Sequence, residues 1–301
     1  MSALTDLDAR SRQLALLQLI GGAIMISFAA VFVRIIEVPP TSSAFYRTLV
    51  GGVVLGGVMF ARRRPWRPDR PVIFVLLLAG LLFALDLAFW HRSILYLGPG
   101  LSTLLANFQV FVLAFAGILI FRETLRPSLA VGIVLAFAGL LLIVGIDWAG
   151  LPDNYRRGVV LGLLTALCYG AYVLALRRAR VTAGRERTSP VGDVAIASVA
   201  SAFFLLLIAT GNGESLAIPN FREAGLLLAY GLVTQVAGWV LISSSLAKLP
   251  ASRIGLVLLI QPTFAYLWDV LFFARAISVS EALGAGLALA GIYLGSRAKG
   301  V

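Results

Sequence analysis

Of the 301 residues, 60% are hydrophobic and only 13% charged, with a mean hydropathy of +0.95; an average soluble domain is roughly 45–50% apolar and 25% charged, so a soluble globule is excluded. The net charge of +11 falls in short clusters between apolar runs, as in Arg62-Arg63-Arg64, which reads as loop anchoring and not as a nucleic-acid footprint. One cysteine, Cys168, and one histidine, His91, exclude an internal disulfide and any Cys/His metal cluster, and no cofactor is implied.

The stretch from Met1 to Arg12 is polar, and the apolar run behind it lacks a small-residue cleavage site, so that run is expected to stay in the membrane. Crossing a hydrocarbon core takes about 20 mostly apolar helical residues. Ten runs bounded by Pro, Gly and Arg qualify: Gln13–Ile36, Ser42–Ala61, Pro71–Tyr96, Leu101–Phe121, Ser128–Asp147, Gly158–Arg178, Val191–Thr210, Ala224–Lys248, Ser252–Phe273 and Val279–Ser296. Their apolarity is continuous, not alternating, which excludes a β-barrel. Ser27 and Phe28 sit near the middle of the first run, Asp86, Trp90 and His91 on the third, and Asn107 and Gln109 on the fourth. Cys168 and Tyr169 lie mid-way along the sixth, Gln235 and Trp239 on the eighth, and Gln261, Pro262, Tyr266, Trp268 and Asp269 on the ninth. The fifth and tenth are rich in glycine and nearly free of polar groups, as close-packed scaffold helices are.

Lys and Arg accumulate in cytoplasmic loops. Alternate loops hold 18 and 4 of them, with Arg34, Arg47 and Arg92 left inside runs. Both termini are therefore expected in the cytoplasm, in agreement with an even number of spans. A constant offset of 152 residues aligns Leu97–Leu142 with Leu249–Leu294 without a gap. Leu and Ala identities in such segments weigh little, but Gln109/Gln261, Gly132/Gly284 and Gly139/Gly291 carry more. A weaker echo joins Gly21, Phe28 and Ala30 to Gly162, Tyr169 and Ala171. The expected fold is all-α and integral to the membrane, ten transmembrane helices as two five-helix repeats, residues 1–150 and 151–301. An odd number of crossings per repeat makes the second copy inverted, as in secondary transporters.

The Leu97-Gly98-Pro99-Gly100 start of the fourth run, the Phe121-Arg122-Glu123-Thr124-Leu125 that follows it and the Gly132/Gly139 run resemble the drug/metabolite transporter superfamily. Leu249-Pro250-Ala251, Gln261-Pro262 and the Gly284/Gly291 run are the counterparts, and the likeness covers essentially the whole chain. The ten-helix EamA-type members are the nearest in pattern. Within them the chain looks most like the branch of aromatic amino acid and methyl viologen exporters known as YddG. The resemblance implies a multi-pass transporter of the bacterial inner (plasma) membrane that exports small metabolites, and a cavity lined by the first, third, fourth, sixth, eighth and ninth runs. One departure is that Glu123 is matched in the second repeat by Arg275, so a carboxylate role there does not carry over. Partners are then a small-molecule substrate and the bilayer, with no nucleic acid; a monomer is compatible with the sequence, which does not set the oligomeric state.

Polar groups inside a bilayer are costly, so each is a functional candidate. The candidate cavity residues are Phe28, Asp86, Trp90, His91, Asn107, Gln109, Tyr169, Gln235, Trp239 and Gln261, with Pro262 as a hinge or a static kink. Asn107 and Gln109 fit an inter-helix hydrogen bond as well as a ligand contact. Trp90 and Trp268 lie towards helix ends, where interfacial anchoring competes with substrate stacking, whereas Trp239 is too deep for a belt. Arg34 and Arg47 read as snorkelling to the outer surface, and Asp269 with Arg275 as an interfacial ion pair. The leading function is a carrier with alternating access and no enzymatic step. Facilitated or weakly proton-coupled export suits it, with Asp86 and His91 as modulators. The rival class is an intramembrane aspartyl-type enzyme using Asp86 and Asp269; their different depths on their helices disfavour a shared proton. Cys168 with His91 lacks a third orienting group.

Overall fold

A computed structural model describes residues 2–61, 68–121, 127–144, 150–182, 189–249, 251–258, 260–274 and 278–296. Lipid offers no hydrogen bonds to a backbone, so spanning segments must satisfy their own N–H and C=O groups. The elements of the described residues are accordingly all helices, without strands, joined by short irregular segments: α1 (Ser2–Ser27), α2 (Ala29–Ile35), α3 (Pro40–Ala61), α4 (Arg70–Leu97), α5 (Pro99–Ala106), α6 (Gln109–Phe121), α7 (Pro127–Val144) and α8 (Asp153–Thr182) come first. There follow α9 (Pro190–Gly211), α10 (Phe221–Tyr230), a π-helical segment (Gly231–Gly238), α11 (Trp239–Leu246), α12 (Ala251–Leu258), α13 (Ile260–Phe273) and α14 (Val279–Ser296).

Among the described residues, seven stretches are long and apolar enough to cross a membrane: Arg10–Ile35, Pro40–Ala61, Arg70–Leu97, Gly100–Ile120, Asp153–Val181, Pro190–Gly211 and Phe221–Leu246. Helices also occupy the other three expected runs, in shorter described stretches. Expected bounds hold to within a residue or two for α4 and α9, but α8 begins five residues before Gly158. The reason is that apolarity marks where hydrocarbon ends, whereas a helix continues while its first turn is stabilised. Here Asp153 sits in that turn, where a carboxylate complements the helix dipole, and pairs with Arg156.

Three interior positions depart from regular α-helix. Between α5 and α6 the Asn107 side-chain amide donates to the Thr103 carbonyl at 2.7 Å, competing with the backbone ladder, and Phe108 N and Val110 N turn to i−3 carbonyls. Between α1 and α2, Ser27 Oγ donates to Ile24 O at 2.6 Å next to Phe28. The third is the π-helical segment, which lies between Tyr230 and Trp239. All three lie on elements that surround the cavity described below.

Close backbone-to-backbone packing joins α7 and α14. A Cβ built on Gly139 would stand 2.5 Å from both Ala288 N and Gly284 O; one on Gly291 would stand 2.5 Å from Ala136 N and 2.6 Å from Gly132 O. With the 152-residue offset, these two sets of contacts are the same set read from either side. Residues 132 and 139 meet 291 and 284 in reverse order, so the two helices run antiparallel. Other pairings obey the same exchange: α4 packs along α8 as the π-helical segment and α11 pack along α1, while α3 packs on α9. Leu19, Leu76, Phe83, Tyr172, Tyr230 and Trp239 anchor the main core, and Leu104, Leu105, Ala136 and Ala288 a second one.

Candidate functional site

Where these helices converge, a cavity leaves about 50 Å³ open to the centre of a water-sized sphere, room for about three or four waters. Ile26, Ser27, Ala29 and Ala30 line it from α1 and α2, Arg47 from α3, Phe83, Asp86, Leu87 and Trp90 from α4, and Thr103, Ala106 and Asn107 from α5 and its end. Thr165 and Tyr169 of α8, Trp239 of α11 and Gln261 of α13 complete the wall. The six expected cavity runs all contribute; α3 is an addition. Asp86, Trp90, Asn107, Tyr169, Trp239 and Gln261 are therefore brought together.

The aromatic side chains form one body. Trp239 is fully buried, its ring centroid 4.5 Å from that of Tyr172, 5.3 Å from Phe83 and 5.8 Å from Tyr169, in edge-to-face geometry. Gln261 Nε2 donates to the Tyr169 hydroxyl at 2.9 Å, orienting that ring. Three polar atoms on the cavity wall have no hydrogen-bond partner among the described residues: Asn107 Oδ1, Thr165 Oγ1 and Trp239 Nε1. Among the described residues no hydrogen bond or ion pair reaches Asp86 either, and it is the only carboxylate of them that lines the cavity. Unmet groups in a buried wall are sites for water or ligand.

The other four expected residues stand behind this wall. Phe28 stacks on Trp268 at 4.6 Å, and Trp268 Nε1 donates to Ser27 Oγ at 2.9 Å. Gln109 is fully buried with both amide atoms unpartnered, off the cavity surface. Gln235 donates to Ser198 Oγ at 2.8 Å. His91 is also fully buried, with Nδ1 2.7 Å from the Pro40 carbonyl and Nε2 3.2 Å from the Tyr230 hydroxyl. A carbonyl only accepts, so Nδ1 carries the ring proton and the Tyr230 hydroxyl donates to Nε2. Pro262 is buried in the first turn of α13. Glu123, Arg275 and the Asp269 side chain lie outside the described residues, and with them the proposed ion pair and aspartyl dyad.

Arg47 corrects the snorkelling expectation. It is 2% exposed, donates from Nε to Gln235 Oε1 at 3.2 Å and from Nη1 to the Tyr230 hydroxyl at 3.1 Å, and lies over the Tyr230 ring at 5.0 Å. Its position seven residues into α3, about 10 Å along the axis, is within snorkelling reach of the helix end. The partners that turn it inward come from 183 and 188 residues away, and no local signal marks them. Arg34 is exposed, over the Phe273 ring at 4.1 Å.

The same end of the bundle is laced together across its halves. Glu214, after α9, accepts from Thr41 N at 2.9 Å, Ser42 N at 3.2 Å and Thr41 Oγ1 at 2.6 Å, and from Arg92 Nη2 at 3.2 Å. It thereby caps α3, and Glu223 similarly accepts from Glu37 N at 2.9 Å. These contacts tie the start of α3 and the end of α4 to the segment after α9.

Comparison with known proteins agrees with this architecture. A family model described as the EamA-like transporter family matches twice, over residues 13–145 and 156–297. The inner membrane transporter YhbE of Escherichia coli (strain K12), itself described as uncharacterized, is 25% identical over 285 residues, covering 86% of this chain and 83% of YhbE. An uncharacterized transporter of Archaeoglobus fulgidus is 21% identical over 277 residues, covering 91% of this chain and 95% of the relative. A protein of known crystal structure superposes with a TM-score of 0.70 at 20% identity, over 95% of this chain and 99% of that one. With both halves matched, the chain belongs to the EamA-like transporter family.

Proposed function

We propose that this protein is a multi-pass inner-membrane carrier that exports small metabolites, above all aromatic and apolar amino acids, by alternating access. The observation that carries this reading is the buried cavity, in which four aromatic rings surround an unpaired carboxylate and three unpartnered polar atoms. An amphiphilic solute with an apolar body and a charged head has that chemistry. The cavity is too small for such a solute as it stands, so occupancy requires the helices to part, which suits a carrier better than a channel. Asp86 and the aromatic faces also suit a flat organic cation of the methyl viologen kind, against which the fixed charge of Arg47 works.

In this reading the chain has ten spans in two inverted five-helix repeats, residues 1–150 and 151–301, with both termini cytoplasmic. The reciprocal, antiparallel contact of Gly139 and Gly291 supports the inversion, because equivalent helices that meet head to tail belong to copies of opposite sense. The Glu214 contacts then lie on the outer side, and the conformation is closed outward. Rocking of the repeats, with Pro262 as a hinge, opens that side. Transport is facilitated or weakly proton-coupled: His91 is engaged through both ring nitrogens, and Asp86 is the remaining candidate for a proton site. A monomer in the bilayer suffices for this cycle.

Purified protein in liposomes, assayed for counterflow of labelled phenylalanine and tryptophan with and without an imposed pH gradient, tests the reading. Exchange that persists without the gradient is expected, weakened by Asp86→Asn and by His91→Ala. Strict dependence on the gradient, lost in Asp86→Asn with binding intact, makes Asp86 an obligatory coupling site instead. No exchange of any amino acid overturns the substrate assignment.

A further inference from the structure

The guanidinium of Arg47 is held on two of its three nitrogens. Nε is fixed by Gln235, itself tied to Ser198, and Nη1 by Tyr230, whose hydroxyl continues to His91 and so to the Pro40 carbonyl. Among the described residues no acceptor is found for Nη2 beside the bonds of Nε and Nη1, and no carboxylate lies within ion-pair distance, although Asp86 shares the same cavity wall. A buried cation with fixed orientation and an unmet edge is an incomplete site. Arg47 and Asp86 line one cavity without a direct ion pair between them, so each has an edge left for a ligand.

We infer that Arg47 reads the carboxylate of the transported solute and is the specificity-determining residue of the site, with Asp86 facing the solute's ammonium group. This rests on the carrier reading above and adds to it which pole of the solute each charge takes. Only the guanidinium edge bearing Nη2 is free, and a planar carboxylate fits such an edge better than it fits an ammonium. The aromatic wall of Phe83, Tyr169 and Trp239 is left for the solute's apolar body. Tyr230 and His91 are positioning residues: they hold Arg47 or its holder and do not themselves line the cavity. A zwitterion so bound adds no net charge to the cavity, whereas an amine without a carboxylate leaves Arg47 unmet beside a second cation.

The test compares binding by the full-length protein, in nanodiscs, of matched pairs that differ in the carboxylate: phenylalanine against phenethylamine, and tryptophan against tryptamine. Wild type is expected to bind each amino acid about 10- to 100-fold more tightly than its amine, the range for a charge-assisted hydrogen bond. Arg47→Gln is expected to bring the two within about threefold of each other, as suits loss of that bond. Should Arg47→Gln not fold, Arg47→Lys keeps the charge and loses the fork, and is expected to show an intermediate ratio. Tyr230→Phe removes the oriented acceptor and is expected to weaken amino acid binding while leaving amine binding unchanged, a split that a merely structural defect does not give. Equal binding of both members by wild type, or an unchanged ratio in folded Arg47→Lys or Arg47→Gln, overturns the role of Arg47 and leaves the carrier reading standing. If neither member of any pair binds, the amino acid reading fails and the inference with it.

Discussion

Trp239→Ala is expected to lower the stability of the folded chain by about 3 kcal/mol, the low end for a buried aromatic, and to reduce transport on the order of tenfold or more. The stability loss follows from a fully buried indole with three ring neighbours, Phe83, Tyr169 and Tyr172, that cannot collapse into the space it leaves. It sits at the low end because lipid, not water, is the alternative environment, so lost packing contributes and little transfer energy does. The transport loss follows because Tyr169 and Phe83 on the cavity wall lose the ring that orients them. Trp239→Phe separates the two effects. It keeps an aromatic body and removes Nε1, which has no protein partner, so no internal hydrogen bond is lost. A near-normal melting temperature with weakened substrate affinity is the expected pattern, read by thermal unfolding in detergent and by counterflow. Wild-type affinity in Trp239→Phe shows that Nε1 does not meet the solute.

Gly139→Val and Gly291→Val are expected to prevent assembly of the bundle. The Cβ of either would lie about as far from a neighbouring backbone as a covalent second neighbour, 2.5 Å from Ala288 N in one case and from Ala136 N in the other. Backbone atoms in a packed helix do not yield as a flexible side chain does, so α7 and α14 must separate along their whole contact. Overpacking in a core costs about 1–3 kcal/mol where side chains can shift, and the cost is higher where only backbone can. Gly286→Ala is the control, since nothing lies within 4 Å of its Cβ. Yield of monodisperse protein by size exclusion is the readout: near wild type for Gly286→Ala, severely reduced for the two valine variants. A normal yield from Gly139→Val means that α7 and α14 do not pack as described.

These glycines also show what the sequence made legible. The 152-residue spacing that pairs Gly139 with Gly291 is visible in one dimension, and an isolated Gly in an apolar run has few reasons to be there other than close approach. The same holds for Asp86, Asn107 and Trp239, whose cost or size in mid-run requires a cavity or a tight core. Which face a residue presents was not legible, because that depends on partners far along the chain. Gln109 and Gln261 are equivalent by spacing, yet Gln261 lines the cavity and Gln109 lies behind it. Arg47 gave the opposite error: its distance from the helix end fits snorkelling, and only Tyr230 and Gln235 reveal the inward turn. Thr165 carried no signal at all, since a threonine in a membrane helix satisfies itself on its own backbone as a rule. Here it does not, and its Oγ1 is left facing a site.

That residue gives the most direct measurement of the central proposal, that the cavity is the transport site. In a Cys168→Ser background, which removes the single native thiol, Thr165→Cys places a small sulfhydryl on the cavity wall, and Ser215→Cys places one in the exposed segment between α9 and α10, outside the spans. The rate of modification by a small water-soluble thiol reagent is followed in liposomes that catalyse counterflow, with and without saturating transported amino acid. Slowing of Thr165→Cys modification by the amino acid, with Ser215→Cys unaffected, is the predicted result. An unchanged Thr165→Cys rate at saturation, in protein that still transports, contradicts the account and puts the pathway elsewhere in the molecule.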